Sequence, residues 1–417
     1  MLLNFTCSNF RSFRDEQLLS MIPGPTKNHQ SHLVSADRLE VLSLSAIFGA
    51  NASGKSNIYK AIRSSRDFIL GRPFDPQSYY RLEPEYKDKP TTFEYELSTG
   101  GNFYKYGFQV ILSTGEITGE WLWRMSANDS EEDTLIFQRP LKNNDHPKPL
   151  SKFKLRTFHL LYLTLVDEMR KSRNPGIKEM IDVRDWFENN LVIISTEENL
   201  FAEMDYDDEQ CEQLARFLND FDVGITDVGF KFVSPSVLPS THTNVRRSNV
   251  LIQDHYIRKA PDSLPLKERL KISEKVLLNK HGSEKDPFLW FDESDGTRRL
   301  MELAPIVLSR DSDRTYIVDE LDRSLHPLVV YEFVRKFVSH RAIGPKKQLI
   351  FTTHQTSLLD QDLLRRDEIW FVQKENTGAT ELYSLDDFKE RFDKNIEKMY
   401  MDGRYNGIPS ITKGNYL

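Results

Sequence analysis

Residues 46–62 read AIFGANASGKSNIYKAI. An apolar run stops at Gly49, passes through Ala50, Asn51, Ala52 and Ser53 to Gly54, and continues as Lys55, Ser56, Asn57 and a helix-like pattern. Ile58, Ile62 and Ile69 fall close to one helical face. A strand, a tight glycine turn and a helix must therefore follow one another here. Few other stretches constrain a fold so strongly.

The turn fits G-x-x-x-x-G-K-[ST], and each residue type has a physical task. Glycines let the backbone wrap closely around an anion. The turn amides and the N-terminus of the following helix both direct positive potential at that anion. Lys55 would reach the β- and γ-phosphates of a nucleotide, and the Ser56 hydroxyl would bind Mg²⁺.

Three further segments extend this reading. In TYIVDELDRSLHP a short apolar strand ends in Asp319 and Glu320. Asp319 there would hold Mg²⁺, directly or through water, and Glu320 would polarise an attacking water as general base. An acidic turn after an ordinary strand is the plainer alternative, and the phosphate loop speaks against it. In QLIFTTHQTSLLD a second strand ends just before His354, which would contact a γ-phosphate. In DESDGTRRLMELAP a Ser-x-Gly turn opens a helix at Ser294 and Gly296. Ser294 or Asp295 would cap it, Leu300, Leu303 and Ala304 would face inward, and the exposed amides form another anion site.

The chain has 417 residues, with 39% hydrophobic and 29% charged. That is a globular composition with enough length for one large domain or two ordinary ones. The formal charge of -7 does not favour a nucleic-acid polyanion, although local basic patches remain open. Two cysteines, Cys7 and Cys211, match no metal or disulfide spacing, which suits a reducing cytosol. No apolar run approaches about 18 residues, and MLLNFTCSNFRSFRDEQ turns charged early for a secretory signal. The expectation is a cytoplasmic protein with no membrane partner.

Along the chain, MLLNFTCSNF and VLSLSAIFG read as strands. TTFEYEL, FYKYGFQVIL and EWLWRM read as antiparallel strands joined by glycine-bearing turns. LLYLTLVDEMRKS, IKEMIDVRDWFENN and DEQCEQLARFLNDF read as helices, and GITDVGFKFV as a strand. SPSVLPSTHTNVRRSN reads as an exposed loop. TYIVDE and QLIFTTH are strands, each expected to lead into a helix, and DEIWFVQK and TELYSL close the fold. No internal repeat or sustained heptad is present. The expected organisation is an α/β core whose N-terminal half, with the antiparallel β segment, covers 1–150. A mainly helical insertion covers 151–285, and the C-terminal half covers 286–417.

The order of phosphate loop, Ser-x-Gly helix start, Asp-Glu strand end and histidine resembles the ATP-binding-cassette (ABC) ATPases. Among these it is similar to SMC/Rad50-type heads. The resemblance implies an α/β P-loop NTPase of ABC-ATPase type, with an antiparallel β subdomain and a mainly helical insertion. It implies that two heads sandwich ATP and Mg²⁺, the signature turn of one completing the site of the other. Residue by residue, Gly49 to Ser56 match the Walker A loop and Ser294 and Gly296 the signature turn. Asp319 and Glu320 match Walker B, Ser324, Leu325 and His326 the D-loop, and His354 the switch histidine. SNFRSF resembles the first strand of such heads, which brings Arg11 toward the nucleotide. Gln109 is a candidate for the Q-loop glutamine. The signature SDGTR departs from the transporter type, and the D-loop ends in His326-Pro327.

GANASGKSN, ESDGTRRL, DELDRSLHP, FTTHQTSLLD, RRDEIWFVQK and GATELYSL together resemble the AbiLi/RloA-type AAA-15 proteins, over nearly the whole chain. That resemblance implies an ATPase acting in bacterial anti-phage defence beside a partner effector. Two alternatives stay open. One is a nuclease of OLD type, which needs a carboxylate cluster for two-metal chemistry. The other is a DNA-binding clamp, with Arg246 and Arg247 or the segment SKFKLR touching phosphates.

Overall fold

The computed structural model describes residues 1–126, 132–139, 159–171, 174–194, 207–233, 274–282, 288–289, 292–340, 345–388 and 395–408. They fall into two units. The first comprises Met1–Ile193, Asp311–Leu321 and Val338–Leu417, and the second Ile194–Arg310 and Asp322–Phe337. Residues 162–193, within the segment expected as an insertion, thus belong to the first unit. The loop expected at SPSVLPSTHTNVRRSN and the basic segment SKFKLR lie outside the described residues.

In the first unit the chain enters through β1 (Leu2–Ser8) and β2 (Gln17–Ser20) and makes a hairpin of β3 (Leu33–Ala36) and β4 (Leu39–Leu42). It then runs into β5 (Leu44–Phe48) and α1 (Lys55–Ile69). The stretch VLSLSAIFG is therefore two strands parted at Ser43, not one. β6 (Thr91–Thr99), β7 (Asn102–Ile111), β8 (Glu116–Met125) and β9 (Thr134–Arg139) join β1 and β2 in an antiparallel sheet of order β2-β1-β6-β7-β8-β9. Its strands alternate buried and half-exposed residues, as in Thr91–Leu97, because one face meets the core.

The segment LLYLTLVDEMRKS is not one helix. It forms a short α2 (Tyr162–Leu165) and a 3-10 turn at Val166–Met169. The α2 start is held by the fully buried Glu120 of β8. That carboxylate accepts from Tyr162 N (2.8 Å), Leu163 N (3.2 Å) and the Tyr106 hydroxyl (3.0 Å), and pairs with Arg139 at 2.7 Å. A buried charge needs such saturation. α3 (Pro175–Asp185) follows, capped by the Asn174 side chain, and leads into β10 (Leu191–Ile194).

In the second unit, α4 (Asp208–Asn219) begins with a capping box from Asp207 and Gln210. β11 (Ile225–Val233), β12 (Glu274–His281) and β13 (Phe288–Leu289) form an antiparallel sheet. α5 (Asp295–Leu308) buries Leu300, Leu303 and Ala304, the face read from the sequence. α6 (Pro327–His340) buries Phe333, whose ring packs edge-on to Phe217 of α4.

The second sheet of the first unit adds β14 (Arg314–Val318), β15 (Lys347–Thr352), β16 (Ile369–Lys374) and β17 (Thr380–Ser384). Its order is β10-β14-β15-β5-β16-β17. β14, β15, β5 and β16 are mutually parallel, and β17 returns antiparallel. β5 and β15 are buried at every position, as parallel strands covered on both faces must be. No α-helix follows β15, contrary to expectation. A 3-10 turn at Thr356–Leu358 stands in its place, and the C-terminal helix α7 (Ile396–Met401) comes later.

One apolar core lies where α1 meets both sheets. Ile58 and Ile62 of α1, Phe5, Tyr95 and Phe108 of the antiparallel sheet, and Ile47, Ile317 and Ile350 of the parallel one belong to it. Burying side chains of this size contributes about 1.5–3 kcal/mol each. This core fixes the start of α1 against the ends of β5, β14 and β15.

Candidate functional site

β15 lies between β5 and β14, and all three run parallel. Their carboxyl ends therefore open on one edge, the edge at which open α/β sheets bind ligands. The loop after β5, the Asp-Glu step after β14 and the histidine after β15 all emerge there.

The loop after β5 needs its glycines. A Cβ on Gly49 would lie 2.5 Å from Val372 O and 2.8 Å from Ser53 Oγ. At Gly54 the backbone has φ 109°, and a Cβ would lie 2.5 Å from Thr380 Oγ1 and 2.9 Å from Ser12 Oγ. Ala52 is left-handed as well, with φ 62°. Gly54 is the N-cap of α1, so the amides of the first turn, from Lys55, Ser56 and Asn57, point back toward the loop. Lys55 is buried, and its Nζ donates to Gly49 O (2.7 Å) and Ala50 O (2.9 Å). The same Nζ lies 3.4 Å from His354 Nδ1.

The Asp-Glu step is held by one hydroxyl. Thr352 Oγ1, at the end of β15, donates to Asp319 Oδ1 (2.6 Å) and accepts from Glu320 N (2.8 Å). Leu321 N donates to Thr352 O (3.0 Å). Glu320 adopts φ 50°, a left-handed conformation that a non-glycine residue keeps only where its surroundings hold it.

Asn57, a candidate binding residue from the sequence, and Ser12 and Thr380, to which no role was assigned, brace the loop. Asn57 Nδ2 donates to Ser12 Oγ (2.6 Å), whose oxygen lies 2.7 Å from Thr380 Oγ1. Thr380 Oγ1 donates to Ser53 O (2.9 Å), and Thr380 N to Ser12 O (2.8 Å). Only Asn57 among them carried a local signal, its position after the loop serine. Arg11, expected near the nucleotide, is exposed, and its guanidinium sits 5.7 Å from the Phe10 ring centre. Gln109 lies in β7, where its amide donates to Thr92 Oγ1 across the antiparallel sheet (3.3 Å).

In the second unit, Ser294 caps α5, accepting from Thr297 N at 3.1 Å. A Cβ on Gly296 would lie 2.8 Å from Ser324 O, so the Ser-x-Gly turn and Ser324 are close neighbours there. Ser324 is left-handed, with φ 60°.

Residues 44–160 and 213–360 match the family described as "AAA domain, putative AbiEii toxin, Type IV TA system". The chain belongs to this AAA-domain family. Its fold is an α/β P-loop fold, with an antiparallel sheet in the same unit as the mostly parallel sheet that carries the glycine loop. A search of curated proteins finds no match to this AAA protein. It is similar to the solved structure titled "Crystal structure of the SmcHead bound to the C-winged helix domain of ScpA", at 13% identity and TM-score 0.46. That comparison covers 92% of this chain and 97% of the other. It is similar also to the SMC head domain from Thermotoga maritima, at 13% identity and TM-score 0.39, over 92% and 98% of the two chains. Among the described residues of this AAA protein, no helix is long and apolar enough to cross a membrane.

The residues present fit a nucleotide with Mg²⁺. Ser53 Oγ is buried in the loop without a hydrogen-bond partner among the described residues, and the loop is packed so closely at its two glycines that neither position admits a Cβ. Among the described residues no group of three or more His, Cys, Asp or Glu is placed to hold a metal ion. Mg²⁺ needs no such group, since it is commonly held by one or two protein oxygens together with substrate phosphates and water. The Ser56 hydroxyl and the Asp319 carboxylate are oxygen donors of that kind.

Proposed function

We propose that this protein binds and hydrolyses ATP as an ABC-type switch, and that two copies pair around the nucleotide. The observation that carries the reading is the position of Lys55. Its ammonium sits over the glycine loop, beside His354, at the strand edge where Asp319 and Glu320 emerge.

The loop from Gly49 to Ser56 would cradle the phosphates with its amides, and Lys55 would exchange its carbonyl partners for β- and γ-phosphate oxygens. Ser56 and Asp319 would hold Mg²⁺, which when bound neutralises charge developing on the phosphates. Glu320 would take the proton of the attacking water, with its backbone fixed by Thr352. His354 would donate a hydrogen bond to the γ-phosphate. Arg11 would approach the same nucleotide. Ser294, Gly296 and Ser324 of one copy would complete the site of the other, which makes the active species at least a homodimer.

Within its family the chain is read as an AbiLi/RloA-type AAA-15 protein, the sensor or regulatory ATPase of a cytoplasmic anti-phage system acting with a neighbouring effector. The family's description as a putative toxin of a type IV toxin–antitoxin system accords with a partnered role. The deciding test is calorimetry of ATP on wild type and Lys55→Ala. Affinity is expected to fall at least about tenfold, equivalent to about 1.4 kcal/mol. Unchanged binding would sink the nucleotide reading. Phage plating on cells carrying the gene with its neighbours tests the defence role, and equal plating with wild type and Lys55→Ala would remove it.

A further inference from the structure

Behind the phosphate loop lies a segment that no motif accounts for. α7 and the turn after it, up to Ile408, pack against β16 through an aromatic stack. The Phe371 ring lies between Tyr400 (5.3 Å, 14°) and Tyr405 (5.5 Å, 14°). Tyr383 of β17 donates through its hydroxyl to Tyr405 O at 2.7 Å. Tyr400 donates likewise to Gly407 O at 3.0 Å. These bonds fix the turn so that Gly407, with φ 66°, backs onto the loop. A Cβ built on Gly407 would lie 3.8 Å from Gly49 Cα and 3.5 Å from Val372 O. Val372 O is the same oxygen that forbids a side chain on Gly49.

The other end of the segment reaches the histidine. Thr356, two residues beyond His354, donates through Oγ1 to Glu397 Oε1 of α7 at 2.7 Å. Four contacts and one close approach of backbone to backbone therefore make a ring. Gly49 O binds Lys55, Lys55 meets His354, and the chain runs on to Thr356. Thr356 binds Glu397, α7 carries Tyr400, Tyr400 holds Gly407, and Gly407 returns to Gly49.

We infer that Ile396–Ile408 is a positioning element of the nucleotide site. Glu397 holds the turn that aims His354, and Gly407 backs the phosphate loop, so the two are set at a fixed spacing. A supporting shell of this kind holds reacting groups within the tolerance that catalysis needs. The γ-phosphate would draw on both Lys55 and His354, so its chemistry is coupled to the C-terminal segment. A ligand that displaces this segment would slow turnover. The inference rests on the reading of Lys55 and His354 as nucleotide contacts.

The experiment compares full-length wild type, Thr356→Val, Thr356→Ser, Glu397→Ala and the double variant Thr356→Val/Glu397→Ala. ATP turnover and ATP affinity are measured at a temperature where circular dichroism shows every variant folded. Removing the hydroxyl or the carboxylate is expected to lower kcat roughly tenfold, the scale of a small misplacement of a catalytic group. ATP affinity should change less than about twofold, because Lys55 keeps its place. The double variant should be no slower than the slower single one, as for two halves of one contact. Thr356→Ser, which keeps the hydroxyl, should turn over like wild type. A purely structural contact would lower the melting temperature without splitting kcat from affinity. Wild-type kcat in both single variants, or additive losses in the double, would overturn the inference. Lys55→Ala separates the two levels. If it still binds ATP, the site reading itself has failed. If it does not, and Thr356→Val turns over normally, only the positioning role has failed.

Discussion

Lys55 Nζ lies 3.4 Å from His354 Nδ1, although 299 positions separate the two residues in the chain. The contact follows from sheet order. β5 and β15 are parallel neighbours with Thr352 opposite Ile47, so the residues just past each strand end meet. An ammonium and an imidazole placed together in this way form a pair on which one anion can act at both members.

Glu320→Gln keeps the side-chain shape and removes the base. ATP is expected to remain bound while turnover falls about 10²-fold or more, the usual scale for loss of a general base. Single-turnover measurement checks this. Near wild-type turnover would mean that another group activates the water.

Thr352 joins Asp319 to the Glu320 amide, so Thr352→Val should disturb both. The valine is close in volume, but it removes the hydroxyl that serves both the half-buried Glu320 amide and the Asp319 carboxylate. The expected destabilisation is about 1–3 kcal/mol. Turnover should fall while Lys55-dependent ATP binding persists. Urea unfolding and an ATPase assay read the two effects, and a fully active, equally stable variant would contradict the assignment.

Ser294→Arg should abolish hydrolysis and leave ATP binding nearly intact if the turn serves the partner's site. Mixing it with Lys55→Ala should restore part of the activity, because one composite site of a mixed dimer carries both lesions and the other neither. A dead mixture, with mixed dimers demonstrated by ultracentrifugation, would count against shared sites unless both must fire together. Wild-type protein that hydrolyses ATP as a strict monomer would exclude them.

Burial pushes the Glu368 carboxyl above its ordinary value, while hydrogen bonding from His32 and the Arg365 amide pulls the other way. A folded value above the unfolded one contributes stability that is complete below the unfolded pKa and is lost as pH rises through the folded one. Between about pH 4, the ordinary glutamate range, and pH 7, wild type should therefore lose thermal stability relative to Glu368→Gln. Melting curves across that range check the sign. A difference that stays constant or reverses would show that ionised Glu368 is fully compensated.

The sequence by itself determined the pieces whose chemistry is local. The glycine loop, the Asp-Glu strand end, the capped helix at Ser294 and the alternating strands each carry their pattern within about a dozen residues, because turn geometry and burial period act over that range. Local pattern did not fix how far each element runs. LLYLTLVDEMRKS looks helical throughout, yet its α-helix, begun where Glu120 accepts two amides, gives way to a 3-10 turn after Leu165. What only the tertiary structure decided is which residues share an edge. Strand order set Thr352 between Asp319 and Glu320, and β17 brought Thr380 against Gly54. The aromatic stack on Phe371 turned Gly407 back to Gly49, across 358 positions of chain counted from their residue numbers. Single threonines and a C-terminal glycine carry no periodicity, and their partners are chosen by packing of the whole core. Their roles were therefore invisible until the sheets were in place.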